Sequence, residues 1–138
     1  MSDIAVSTDR VLVDVASKGP SAPYSSAAVW ADLVWTSGAL PVEPDGAIAK
    51  DFAQQVRTAL SNLEESLHVA GARWSSVLKV NGFVADIELL PVLNEVYNDI
   101  VLPHGAPART TVEVSRFRNG VQVEFDAVAV RVPSGVHR

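Results

Sequence analysis

Two periodicities of hydrophobic residues run along this chain. Between Asp51 and Ala70, the residues Phe52, Val56, Leu60, Leu63, Leu67 and Ala70 recur at helical spacing and gather into one apolar stripe. Gln54, Arg57, Glu64, Glu65 and His68 fall mostly on the wetter side. Asp51 followed by Gln54 is a capping-box pattern, and Gly71 stands where a left-handed C-terminal cap belongs. A second amphipathic helix is read from Leu93, Val96, Tyr97 and Ile100, ending before Pro103. The remaining apolar segments are short and rich in Val, Trp and Phe, which favours strands. They span 11–15, 27–36 (a hairpin turning near Ala31 and Asp32), 77–84, 108–117 and 121–132. The last two are expected to be joined by a turn at Asn119-Gly120.

The resulting order, ββαβαββ with the second element a hairpin, predicts an α+β sandwich: a mainly antiparallel sheet with two helices on one face. Two helices cover only one side of such a sheet. Yet Val29, Leu33 and Trp35 are assigned to one face of their hairpin while Trp30 and Val34 fall on the other. In the last strand Val121, Val123, Phe125 and Ala127 oppose Val128 and Val130. Apolar residues on both faces predict a second cover, and neighbouring copies of the chain would supply it, so a homo-oligomer is expected. Curvature of the hairpin within one subunit is the alternative. Trp30, Trp35 and Trp74 are read as core or interface residues.

Composition narrows the functional classes. The 138 residues fit one domain spanning 1–138, with a core over 10–132 and a frayed tail over 133–138. The net charge of −5 and the absence of any basic run make nucleic acid a poor partner. There is no cysteine, hence no disulfide, thiol nucleophile or Cys-ligated metal. His68, His104 and His137 lack metal-ligand spacing, so no metal is expected. No apolar run approaches the ~20 residues that span a bilayer. The start Met1-Ser2-Asp3-Ile4-Ala5 lacks a signal-peptide pattern, and the expected setting is the cytoplasm, with no membrane partner.

Chemistry concentrates near the C-terminus. Pro107-Ala108-Arg109-Thr110-Thr111-Val112-Glu113-Val114 places a permanent cation where a loop enters a strand. Its planar fork can grip a carboxylate through two parallel hydrogen bonds. Glu124, inside Val123-Glu124-Phe125-Asp126-Ala127, is a candidate proton carrier, because partial burial raises a carboxyl pKa toward working pH. A fixed cation and a tunable acid suggest small-acid chemistry. A structural ion pair between Glu124 and Arg109 is the competing reading, and Glu113 is expected to pair with Arg116 or Lys79.

Ala22-Pro23-Tyr24-Ser25, Thr36-Ser37-Gly38, Val92-Leu93-Asn94-Glu95-Val96-Tyr97, the Pro107–Val114 segment and Val123–Val130 occur in the order of the RidA (YjgF/UK114-type) reactive-intermediate deaminases. The chain resembles that family from about residue 21 to 132. The resemblance implies a chorismate-mutase-like fold assembled as a homotrimer with clefts between subunits. It also implies cofactor-free hydrolysis of small 2-imino acids and enamines, of the 2-aminoacrylate type, to 2-keto acids and ammonia. By resemblance, Arg109 holds the substrate carboxylate, Glu124 handles the attacking water or departing nitrogen, and Tyr24, Ser37, Gly38 and Asn94 line the cleft. Thr111 falls where many relatives have cysteine. Its hydroxyl remains able to position water. Ala22, Ser26 and Ala39-Leu40 depart from the common pattern near the cleft mouth, which bears on substrate identity. Two other functions stay open: a non-catalytic trimer that binds small carboxylates or regulates a partner, and, more weakly, a ribonuclease.

Overall fold

The computed structural model describes residues 9–133. The expectation of a frayed tail over 133–138 falls, Pro133 apart, outside them, as does His137. Six strands form one sheet: β1 (Val11–Val13), β2 (Ala27–Trp30), β3 (Leu33–Thr36), β4 (Val77–Val84), β5 (Ala108–Glu113) and β6 (Val123–Val130), in the spatial order β1-β2-β3-β6-β4-β5. Two helices interrupt them, α1 (Phe52–Val69) and α2 (Leu90–Ile100). All neighbouring strands run antiparallel except β4 and β5, which are parallel.

Helix α1 forms where its periodicity places it. Asp51 caps it by accepting from the Gln54 N–H at 3.0 Å. Gly71 ends it at φ +86°, a conformation that a Cβ disfavours. Leu60, Leu63 and Leu67 of α1 and Leu93 and Val96 of α2 share one core with Val34, Val80, Val84, Phe125, Ala127 and Ala129 of the sheet. Both helices therefore bury their stripes against the same sheet face.

Three expectations are corrected. First, β5 and β6 are not a hairpin. Asn119 and Gly120 do turn the chain, at φ 56° and 79°, but β6 then inserts between β3 and β4 while β5 lies at the sheet edge. The reason is visible in burial: β6 alternates buried and half-buried residues along its whole length, as a central strand does, while β5 is largely exposed. Second, the hairpin faces were paired wrongly. Trp30 pairs with Leu33 and Val29 with Val34, because a two-residue turn inverts the odd–even parity between its arms. Val29 and Val34 face the helices and are buried, whereas Trp30, Leu33 and Trp35 share the opposite face. Glu113 also departs from expectation. Its carboxylate accepts from the Ile87 N–H at 3.0 Å instead of an ion pair, and Lys79 donates to Thr110 Oγ1 at 2.8 Å.

Among the described residues no helix is long and apolar enough to cross a membrane.

Candidate functional site

Strand register fixes which face each candidate occupies. Arg109 lies beside Val80 and Thr111 beside Gly82 on β4; Val80 and Gly82 in turn lie beside Ala127 and Phe125 on β6. All of these point to the helix side, where Phe125 and Ala127 are buried. Val112 lies beside Phe83, and Phe83 beside Glu124, on the opposite side. Within one chain Arg109 and Glu124 therefore project from opposite faces of the sheet. The structure brings the sequence candidates together as two groups.

The first group gathers where edge strand β5 meets α2. The Arg109 Nη2 donates to Asn94 Oδ1 at 2.7 Å, and its Cζ lies 4.7 Å from the centre of the Tyr97 ring. Asn94 and Tyr97 are three apart on α2 and so share one helix face. Among the described residues no carboxylate pairs with Arg109, so its charge is held in place without being neutralised. Thr111, two residues along the same strand face, has a buried hydroxyl without a hydrogen-bond partner among the described residues. Gly82 makes this packing possible: a Cβ there would lie 3.2 Å from Thr111 Oγ1 and 3.3 Å from Phe125 Cε1. Burial raises the Tyr97 hydroxyl's pKa above its ordinary value, while the nearby Arg109 charge lowers it.

The second group lies at the end of β3. Ala39 exchanges backbone hydrogen bonds with Phe125, which lays Gly38 against the Glu124 side chain. A Cβ at position 38 would overlap the Glu124 carboxylate, lying 2.8 Å from its Cδ. Glycine is thus the residue that leaves this carboxylate room. The Glu124 pKa is raised, first by burial and second by the negative charge of Asp126 on the same strand face. Asp126 is itself held by Asn81, whose Nδ2 donates to Oδ1 at 2.7 Å. Ser37 donates its hydroxyl to the Ser25 carbonyl at 2.6 Å, so it shapes the turn next to Gly38. Tyr24, 56% exposed, shares an open cavity of about 530 Å³ with Ser37 and Gly38. Ser26 is buried and structural, accepting from the Val15 N–H and donating its own N–H to Asp14.

Tyr97, legible in the sequence as part of a helix stripe, and Gly82 and the Asn81–Asp126 pair did not stand out there as site residues. The three-residue spacing of Asn94 and Tyr97 on a helix was the available signal for Tyr97. Gly82 and Asn81 emerge only once β4 is known to run between β5 and β6. Among the described residues, no group of three or more His, Asp or Glu side chains is gathered as a metal site would require.

Residues 16–131 match the protein family described as Endoribonuclease L-PSP. The chain belongs to this family, the RidA family. Over 112 residues the RidA-family chain is 36% identical to the 2-iminobutanoate/2-iminopropanoate deaminase of Salmonella typhimurium, covering 79% of this chain and 88% of that one. The crystal structure of E. coli TdcF with bound serine is 31% identical, with a TM-score of 0.79, and the match covers 87% of this chain and 98% of that one. Yeast YEO7 is 30% identical with a TM-score of 0.83, covering 90% and 100%. The RidA fold expected from the sequence is therefore present, with the sheet mixed and the two helices on one side.

Proposed function

We propose that this protein hydrolyses small 2-imino acids and their enamine tautomers to 2-keto acids and ammonia, in clefts formed between copies of the chain. One observation carries the reading: Arg109 is held by Asn94, and among the described residues no carboxylate neutralises it. A buried-side cation without an acid partner is suited to an anionic guest. The 2-iminobutanoate/2-iminopropanoate deaminase relative supplies the substrate class.

Arg109 takes the substrate carboxylate in a two-pronged grip and so fixes the position of the adjacent C=N carbon. Water bonds to that carbon through its oxygen and gives a proton to Glu124. Glu124 returns that proton to nitrogen, giving a carbinolamine; it then takes the remaining hydroxyl proton and passes it to the amino nitrogen as the C–N bond breaks, so that ammonia leaves and the C=O of the keto acid forms. A carboxyl whose pKa is raised is better matched to both transfers than an ordinary one. The Thr111 hydroxyl, buried and without a partner among the described residues, positions the water. Gly38 leaves space beside Glu124 and can offer its backbone N–H, Ser37 shapes that turn, and Tyr24 closes the cleft against competing solvent. No step needs a metal or cofactor.

Because Arg109 and Glu124 face opposite ways in one chain, the reaction needs Glu124 from a neighbouring copy. A homotrimer satisfies this with every subunit equivalent. The uncovered sheet face supports such an assembly: Leu12, Trp30, Leu33, Trp35 and Val112 are all between 37% and 50% exposed there.

The test is ammonia or keto-acid release from imines generated in situ by an amino-acid oxidase. Arg109→Ala is expected to lower kcat/KM by about 30-fold or more, since removing one partner of a desolvated charge pair costs roughly 2–5 kcal/mol. An Arg109→Ala protein as active as the parent would refute the mechanism. Thermal stabilisation by keto acids with no turnover would instead establish the carboxylate-binding reading.

A further inference from the structure

We propose that Tyr97 is a positioning residue for Arg109, acting through the face of its ring and not through its hydroxyl; this rests on the carboxylate-binding role of Arg109. An arginine side chain has several free rotors, and a two-pronged grip on a carboxylate needs the guanidinium plane fixed. Asn94 alone cannot fix it. One hydrogen bond to Nη2 leaves the plane free to pivot about that contact.

The Tyr97 ring supplies the second constraint. The guanidinium carbon lies 4.7 Å above its centre, within the range of cation–π attraction. A ring beneath the guanidinium carbon opposes its pivoting about the Asn94 contact, and it does so without occupying an N–H group that a carboxylate guest would need. The ring is braced in turn. Tyr97 is only 6% exposed, and its centroid is 6.5 Å from that of Phe125, which is fully buried. Gly82 admits Phe125 to this position, since a Cβ there would lie 3.3 Å from its ring. A line of contacts therefore runs from the sheet core through Phe125 and Tyr97 to the Arg109 guanidinium.

The hydroxyl does not account for a tyrosine here. It is buried, and among the described residues it has no hydrogen-bond partner. An unpartnered buried hydroxyl costs stability. Phenylalanine keeps the ring and removes that cost.

The experiment compares the parent with Tyr97→Phe and Tyr97→Leu in three measurements: steady-state kinetics on in situ imines, calorimetric binding of pyruvate, and thermal melting. Tyr97→Phe is expected to keep kcat/KM and pyruvate affinity within about 2-fold of the parent and to melt at the same or a higher temperature. Tyr97→Leu is expected to bind pyruvate about 3- to 30-fold more weakly, the span that cation–π contacts cover, with the kinetic loss falling in KM more than in kcat. Should the leucine variant not fold, Tyr97→Met takes its place. Pyruvate binding by Tyr97→Leu equal to the parent's overturns the proposal. So does a loss in Tyr97→Phe as large as that in Tyr97→Leu, because the hydroxyl would then be the active part. Arg109→Ala is run alongside: if it binds pyruvate like the parent, the carboxylate-binding reading has failed, a result separable from failure of the Tyr97 series.

Discussion

At the scale of single residues, the proposed hydrolysis depends on how Glu124 is tuned. Its pKa is raised mainly by burial and secondarily by Asp126. As a base it must be ionised, so kcat/KM should fall as pH drops through this raised value, at a higher pH than an ordinary glutamate would give. Asp126→Asn removes the neighbouring negative charge, stabilises the ionised form and should move that acid limb to lower pH without abolishing it, since burial remains. A limb that stays put or moves to higher pH would show that Asp126 does not tune Glu124. Arg109 and Glu124 were legible in the sequence because each is a charged residue set in an apolar strand segment. Their placement on opposite faces was not. Face depends on which strands lie between them, and β4 and β6 are brought together from distant parts of the chain. The Thr111 hydroxyl was likewise legible as a candidate, but its burial beside Gly82, without a hydrogen-bond partner among the described residues, follows from the strand order.

At the scale of elements, local signals were read correctly and non-local pairing was not. Helix α1 carries its own instructions in its 3.6-residue periodicity, its Asp51 cap and the Gly71 stop. The Asn119-Gly120 turn also forms, but a turn specifies only a reversal of direction and not the partner strand. What guides the chain into β6 is a buried side chain on α1. Gln55, 1% exposed, donates to the Ala49 carbonyl at 2.7 Å and to the Gly120 carbonyl at 3.0 Å, and accepts from the Gln122 N–H at 2.8 Å. It thereby ties the helix to the turn that launches the central strand. Gln55→Leu keeps the bulk but strands these backbone groups, and should destabilise the protein by about 1–3 kcal/mol. Urea titration would read this as a lower midpoint at unchanged slope. An unchanged midpoint would mean that the turn forms without this tie.

At the scale of the whole molecule, apolar residues on both faces of the strands predict a second covering layer, and the structure leaves one apolar face exposed. Trp30, Leu33 and Trp35 line the face that the helices leave open. Trp35→Lys should break the proposed assembly and yield a smaller species by light scattering; retention of the parent mass would show that this face is not the interface. The central claim is that each site takes its arginine from one copy and its glutamate from another. It is tested most directly by mixing Arg109→Ala and Glu124→Gln proteins, each weakly active alone, and letting their subunits exchange through unfolding and refolding. Random equal mixing should restore about a quarter of the sites to full composition, and with them a comparable share of parental imine hydrolysis. Mixed oligomers no more active than the two variants kept apart would contradict the account, because both residues would then have to act from the same chain.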